Sequence, residues 1–197
     1  MITSCKILLF VSLLSIFFSF ISHAQENKYE EIIIKNKIYK PGSGWLKFGE
    51  GFGYNTSLKS NEINTVISFS FRIKNNYFQI GYHVSGDKFL SQKTFQKLNN
   101  LYVATGLRKE SDKYNISLFA GPAYSYGGYY FDTDSLGNKR YKGFTKIGFL
   151  AIADYTFKIF YDLGFGLSLY GSVNKNYNVV GIQAHFYFSG AFKGEIK

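Results

Sequence analysis

Cysteine occurs once in 197 residues and proline twice. The single cysteine, Cys5, lies in an N-terminal segment that reads as removable. The working chain is then expected to lack disulfides, thiolate metal sites and a cysteine nucleophile. Cys5 also precedes the apolar run rather than following it, which excludes the lipid-bearing cysteine of a bacterial lipoprotein. Acids are sparse too. Against 13 Asp and Glu stand 23 Lys and Arg, a formal charge of +10. A basic balance suits nucleic acid. Yet no RNP, zinc-finger or helix-turn-helix pattern is present, and an exported chain rarely meets nucleic acid, so no such partner is expected. After Ile21 no second apolar run approaches the length of about 20 residues that a membrane-spanning helix needs. Any later passage through a membrane has to use strands.

The N-terminus has the tripartite pattern of a secretory signal: Lys6, an apolar run from Ile7 to Ile21, then Ser22-His23-Ala24 before Gln25. The run is short for an anchor. Residues 1–24 are expected to be a cleaved signal peptide and residues 25–43 a leader. Within the leader, Ile32-Ile33-Ile34 reads as a short strand, a strap across a barrel mouth or a docking peptide. A loose leader is the plainest reading, since termini are often poorly ordered unless tied down.

Aromatics and glycine are abundant: 21 Phe, 17 Tyr and 20 Gly. They fall into a period of two, the signature of strands. Ile67, Phe69, Phe71 and Ile73 alternate with Val66, Ser68, Ser70 and Arg72. Phe78, Ile80, Tyr82 and Val84 alternate with Gln79, Gly81 and His83. The pattern recurs from Leu46, Leu101, Tyr114, Thr145, Ile159 and Asn178, with Glu50 interrupting one apolar face. That makes eight strands of roughly nine to thirteen residues, long for a soluble sheet and right for a transmembrane barrel. The links alternate between longer and shorter. The odd ones include 85–100 and 127–143; the even ones include 74–76, 109–113 and a tight turn near 154–158. Transmembrane barrels alternate loops and turns in this way. Trp45, Tyr54, Tyr77, Tyr82, Tyr114, Tyr124, Tyr155 and Tyr177 fall near strand ends, where interfacial girdles form.

The faces opposite the apolar ones carry Arg72, His83, Arg108, Lys146, Asp162 and His185. Charged groups rarely bury singly in an apolar core. Inside a closed barrel they can pair, so these six are expected to form a lumenal polar network. The expected fold is an all-β, eight-stranded antiparallel up-and-down transmembrane β-barrel over residues 44–188, with residues 189–197 as a tail.

In this pattern the chain resembles the small eight-stranded outer-membrane barrels of Gram-negative bacteria, the OmpX/Ail group and the OmpA barrel domain. The resemblance implies an outer-membrane location among lipid and lipopolysaccharide. It also implies a structural or loop-mediated role, as an adhesin-like surface protein or an accessory subunit of an outer-membrane complex with a protein partner. Such barrels usually end on a C-terminal Phe; here Phe188 is followed by SGAFKGEIK. Two loops carry candidate contact residues: Phe89, Leu90 and Phe95 in one, Tyr129, Tyr130, Phe131, Arg140 and Tyr141 in the other. Aromatic and Arg anchors dominate interfaces.

No enzyme is expected, but His83-Val84-Ser85 resembles the His-x-Ser element of lipid A deacylases. Its third member is missing where that family has Glu, and only Asp87 is near. A nucleophile needs a base and the base an orienter. No cofactor or metal is expected either, because His83 and His185 are too few without converging carboxylates. A lipid A-modifying enzyme and a soluble, lipocalin-like barrel with its aromatic faces turned inward remain the alternatives.

Overall fold

The structure, a computed structural model, describes residues 31–86, 96–135, 137 and 139–196. The expected signal peptide and the candidates Phe89, Leu90 and Phe95 lie outside the described residues. The described residues form eleven strands, in order β1 (Ile32–Ile34), β2 (Lys37–Tyr39), β3 (Trp45–Asn55), β4 (Ser60–Ile73), β5 (Asn76–Gly86), β6 (Lys97–Glu110), β7 (Tyr114–Thr133), β8 (Lys139–Phe160), β9 (Leu163–Val173), β10 (Val179–Ser189) and β11 (Phe192–Glu195). Strands β3 to β10 pair antiparallel with their chain neighbours. β10 closes the ring on β3, from Ser189 opposite Trp45 to Val179 opposite Asn55. The fold is the eight-stranded transmembrane barrel, with no edge left in the ring.

The alternation decides which solvent each face meets. On β4, Ile67 and Phe69 are about half exposed while Ser68 and Ser70 are buried. The same holds on β10, where Phe186 and Phe188 point out and His185 and Tyr187 point in. Apolar side chains therefore line the outer wall, and the lumen holds the buried polar ones together with an apolar cluster that includes Trp45, Val66, Leu98, Phe119, Leu150 and Ile152. This is the reverse of a lipocalin-like soluble barrel, so that alternative fails. Of the expected girdle, Tyr54, Tyr124 and Tyr155 face outward. Trp45 and Tyr177 are instead buried, and Tyr77 packs against Trp45.

Three strand limits differ from the sequence reading. The turn expected near 154–158 falls at Tyr161–Asp162, because a register shift between Lys158 and Phe160 lets β8 run on. Residues 127–143 are not a long loop. β7 and β8 keep pairing as far as Thr133 opposite Lys139. The chain after Phe188 does not simply trail away: β10 ends at Ser189 and a separate strand, β11, follows.

That last strand completes a second sheet, ordered β1-β2-β11. Lys35 and Asn36 link β1 to β2 with φ of 49° and 62°, the conformation of a tight two-residue hairpin turn. Phe192 pairs with Tyr39 and Glu195 with Lys37. The sheet docks at the barrel end that carries the short turns, where the Tyr39 and Tyr161 rings lie 5.0 Å apart beside Ala191. Ile32 and Ile34 pack against this cluster.

Candidate functional site

At the turn end, Arg108 organises the lumen. Its Nε donates to Asn115 Oδ1 (2.6 Å), Nη1 to the Ser43 carbonyl (2.9 Å) and Nη2 to Tyr187 Oη (2.6 Å). Nη2 also lies 2.8 Å from Glu110 Oε1. The guanidinium stacks 4.1 Å over the Trp45 ring. Lys158 Nζ reaches Glu110 Oε1 at 2.6 Å and lies 3.8 Å over the Tyr161 ring. Glu110 also accepts the Gly42 amide (3.0 Å). One carboxylate thus holds two cations, and the segment entering β3 is tied to it.

Mid-barrel, Lys47 on β3 meets Asp154 on β8 at 2.7 Å, and Ser117 donates to the other Asp154 oxygen at 3.2 Å. The two His185 nitrogens face Ser168 Oγ (2.8 Å) and Thr156 Oγ1 (2.9 Å). Tyr102 donates to Gln79, which donates to Ser70. Gly81 stands directly across from Tyr102. A Cβ there would lie 2.4 Å from the Tyr102 oxygen, so only glycine admits the ring.

At the loop end, Asn100 bonds Ser172 (2.9 Å) and Ser125 (2.7 Å). Glu62 accepts from Asn55, Ser85 and Tyr177. The Asn174 side chain accepts the amides of Asn176 and Tyr177, both at 2.9 Å, and this turn lays Tyr177 over the lumen. There it stacks on Phe144 at 5.8 Å. Eight strands make an interior that side chains just fill, and here the inward Lys47, Gln79, Tyr102, Phe119, Tyr177 and Tyr187 are all buried.

Of the expected lumenal residues, His83, Arg108 and His185 lie inside. Arg72 does not: it bonds the Lys74 carbonyl and Asn75 Oδ1 in its own turn. Asp162 sits in the β8–β9 turn, where its carbonyl accepts the Ser189 amide. Lys146 has the inward phase but lies exposed at the loop end. The sequence reading missed Lys47, Glu62, Asn100, Glu110, Asp154 and Lys158. Three of them (Lys47, Asp154 and Lys158) already showed the inward phase; Asn100 and Glu110 fell in segments read as links.

The Ser85 hydroxyl bonds Glu62 and not His83. The His83 ring lies against Tyr170, 4.5 Å between centroids, with Nδ1 3.4 Å from Asn100. Both residues are buried in the lumen.

The remaining candidates stand on a hairpin. β6 last pairs with β7 at Gly128, and β9 last pairs with β8 at Phe149. Beyond these points, among the described residues, β7 and β8 continue as a two-stranded arm. Tyr129 lies opposite Lys142, Tyr130 opposite Tyr141 and Asp132 opposite Arg140, with a bulge between Tyr130 and Asp132. Tyr129 faces inward, 6.0 Å from Phe144, and accepts from Asn176 (3.2 Å). Tyr130 and Tyr141 make an edge-on ring contact at 6.2 Å, and Phe131 is exposed. These five are thus strand residues, not loop residues. A shallow cavity of ≈ 420 Å³ opens at the arm's root beside Tyr126, Gly127, Gly143, Phe144 and Thr145.

No family model matches the chain, and no curated protein matches it by sequence. Solved structures do match. Neisserial surface protein A (NspA) superposes with a TM-score of 0.57 at 14% identity, over 74% of this chain and 96% of that one. Ail, the attachment invasion locus protein of Yersinia pestis, superposes with 0.52 at 9% identity, over 77% and 97%. Ail in complex with the heparin analogue sucrose octasulfate gives 0.50 at 11% identity, over 77% and 97%. At these identities the likeness is one of fold.

Proposed function

We propose that the chain is a non-enzymatic outer-membrane barrel that acts by contact. The wall sits in lipid, the loop-end rim meets lipopolysaccharide, and the β7–β8 arm carries the partner-binding surface. The observation that carries this reading is the arm. It extends two strands past the ring and presents Phe131, Tyr141 and Arg140. Exposed Lys59, Lys142, Lys146 and Lys175 give the same end a positive rim that suits anionic headgroups. The filled lumen speaks against a pore. Burial of Ser85 and His83, with Ser85 bonded elsewhere, speaks against a deacylase. That Ail has been seen with a sulfated heparin analogue, and that NspA is a surface protein, are facts about those proteins; they make contact with anionic surfaces a natural role for such a fold.

The test is membrane fractionation with gel mobility before and after boiling, on the full chain and on a variant whose residues 129–142 are replaced by a short turn. Both chains should reach the outer membrane and shift on heating. Only the full chain should bind host-derived surfaces, while both should keep lipopolysaccharide binding through Lys59, Lys146 and Lys175. A soluble, unshifted protein, or equal binding of host-derived surfaces by both chains, would overturn the reading.

A further inference from the structure

Among the described residues, the outer wall carries a carboxyl at its middle. On β3 the outward side chains run Leu46, Phe48, Glu50, Phe52, Tyr54, and Glu50 is the central one. About 17 Å of strand separates it from either end of β3. The register gives its surroundings. Across the ladders Glu50 faces Thr65 on β4 and Ala184 on β10. The rows on either side are Phe186–Phe48–Ile67 and Ile182–Phe52–Ile63. Six large apolar side chains frame a small notch that holds one carboxyl, one hydroxyl and one methyl.

Hydrocarbon offers a carboxyl neither water nor a donor, so an ionisable group at this depth is costly and is tolerated where something pairs with it. Beyond the Thr65 hydroxyl, the chain's own described wall offers no cation. Among the described residues its Lys and Arg lie in the lumen, at the two ends or in the terminal sheet. Flanking Gly49 and Gly51 bring no inward side chain to the carboxyl either. A second copy of the chain would set carboxyl against carboxyl. Charge complementarity therefore asks for a different occupant.

We propose that the Glu50–Thr65–Ala184 notch is a lateral docking point for another membrane-embedded protein that presents an Arg or Lys side chain to the wall. Thr65 supplies a second hydrogen-bonding group, and Ala184 leaves room for the incoming stem. This deepens the contact role proposed above and rests on its outer-membrane reading.

The test places a photo-cross-linking amino acid at Ile67, beside the notch, or at Leu118 on the opposite wall, in intact cells. Position 67 should give an adduct and position 118 should not. The adduct peptide should come from a membrane-spanning segment with Arg or Lys at the contact. Glu50→Leu should lower the adduct about tenfold or more, while the barrel still reaches the outer membrane and shifts on heating. Glu50→Gln, equal in size, should lose it similarly. An adduct that ignores both variants, an adduct with a second copy, a partner without a cation there, or no adduct from an inserted barrel would each overturn the docking point. A barrel absent from the membrane would instead overturn the reading beneath it.

Discussion

Lys47 and Asp154 belong to strands that are not neighbours in the ring, yet their side chains meet at 2.7 Å, both almost wholly buried. Removing one partner leaves the other charge stranded, which costs about 3–5 kcal/mol. Lys47→Met should lower stability by that amount in guanidinium unfolding of the barrel in lipid vesicles. The double variant Lys47→Met/Asp154→Leu should recover most of it. A loss below about 1 kcal/mol for the single variant would mean that the pair is bridged by water and worth little.

Gly81 and Tyr102 test the packing. Alanine at 81 puts a methyl carbon within 2.4–2.7 Å of three Tyr102 ring and hydroxyl atoms. Overpacking of this kind costs about 1–3 kcal/mol. Shortening the partner, with Tyr102→Ser, should relieve it. If Gly81→Ala unfolds at the wild-type midpoint, Tyr102 has another place to go.

Planar-bilayer recording tests the plug. Arg108 joins Asn115, Ser43, Tyr187, Glu110 and Trp45 in one knot. The wild-type barrel should show no steady open level, and Arg108→Ala should admit brief current steps. A persistent wild-type conductance would contradict the filled lumen.

Truncation after Gly190 removes β11. The barrel should still insert and shift on heating, because the β10–β3 ladder stays whole. The segment 31–40 should become a site of rapid protease cleavage, having lost the Phe192 and Glu195 pairings. Equal resistance in both chains would mean that β1 and β2 hold to the barrel unaided.

The barrel was legible in the sequence because period two survives wherever one face meets lipid. Ile67 and Phe69 against Ser68 and Ser70 already told inside from outside. Phase alone does not give depth. Arg72 has the lumenal phase but lies at the end of β4 beside its turn, Asp162 sits in a turn, and Lys146 lies exposed at the rim. Nor does phase name partners: Lys47 and Asp154 meet through a curvature that no single strand encodes. GGYYFDT looked like a loop because its glycines and acid resemble turn chemistry, yet its partner strand kept it paired. Ile32-Ile33-Ile34 was too short a signal to decide without the strand that completes its sheet.

The terminal sheet joins the two ends of the described chain. β2 and β11 are adjacent in space but separated in sequence by the whole barrel. Tyr39 can rest on Tyr161 and Ala191 only when β8, β9 and β10 have brought those residues to one rim. The terminal sheet thus gathers both ends of the described chain onto the one rim that the β8–β9 turn and the end of β10 build, so a fault at either end is felt at the other.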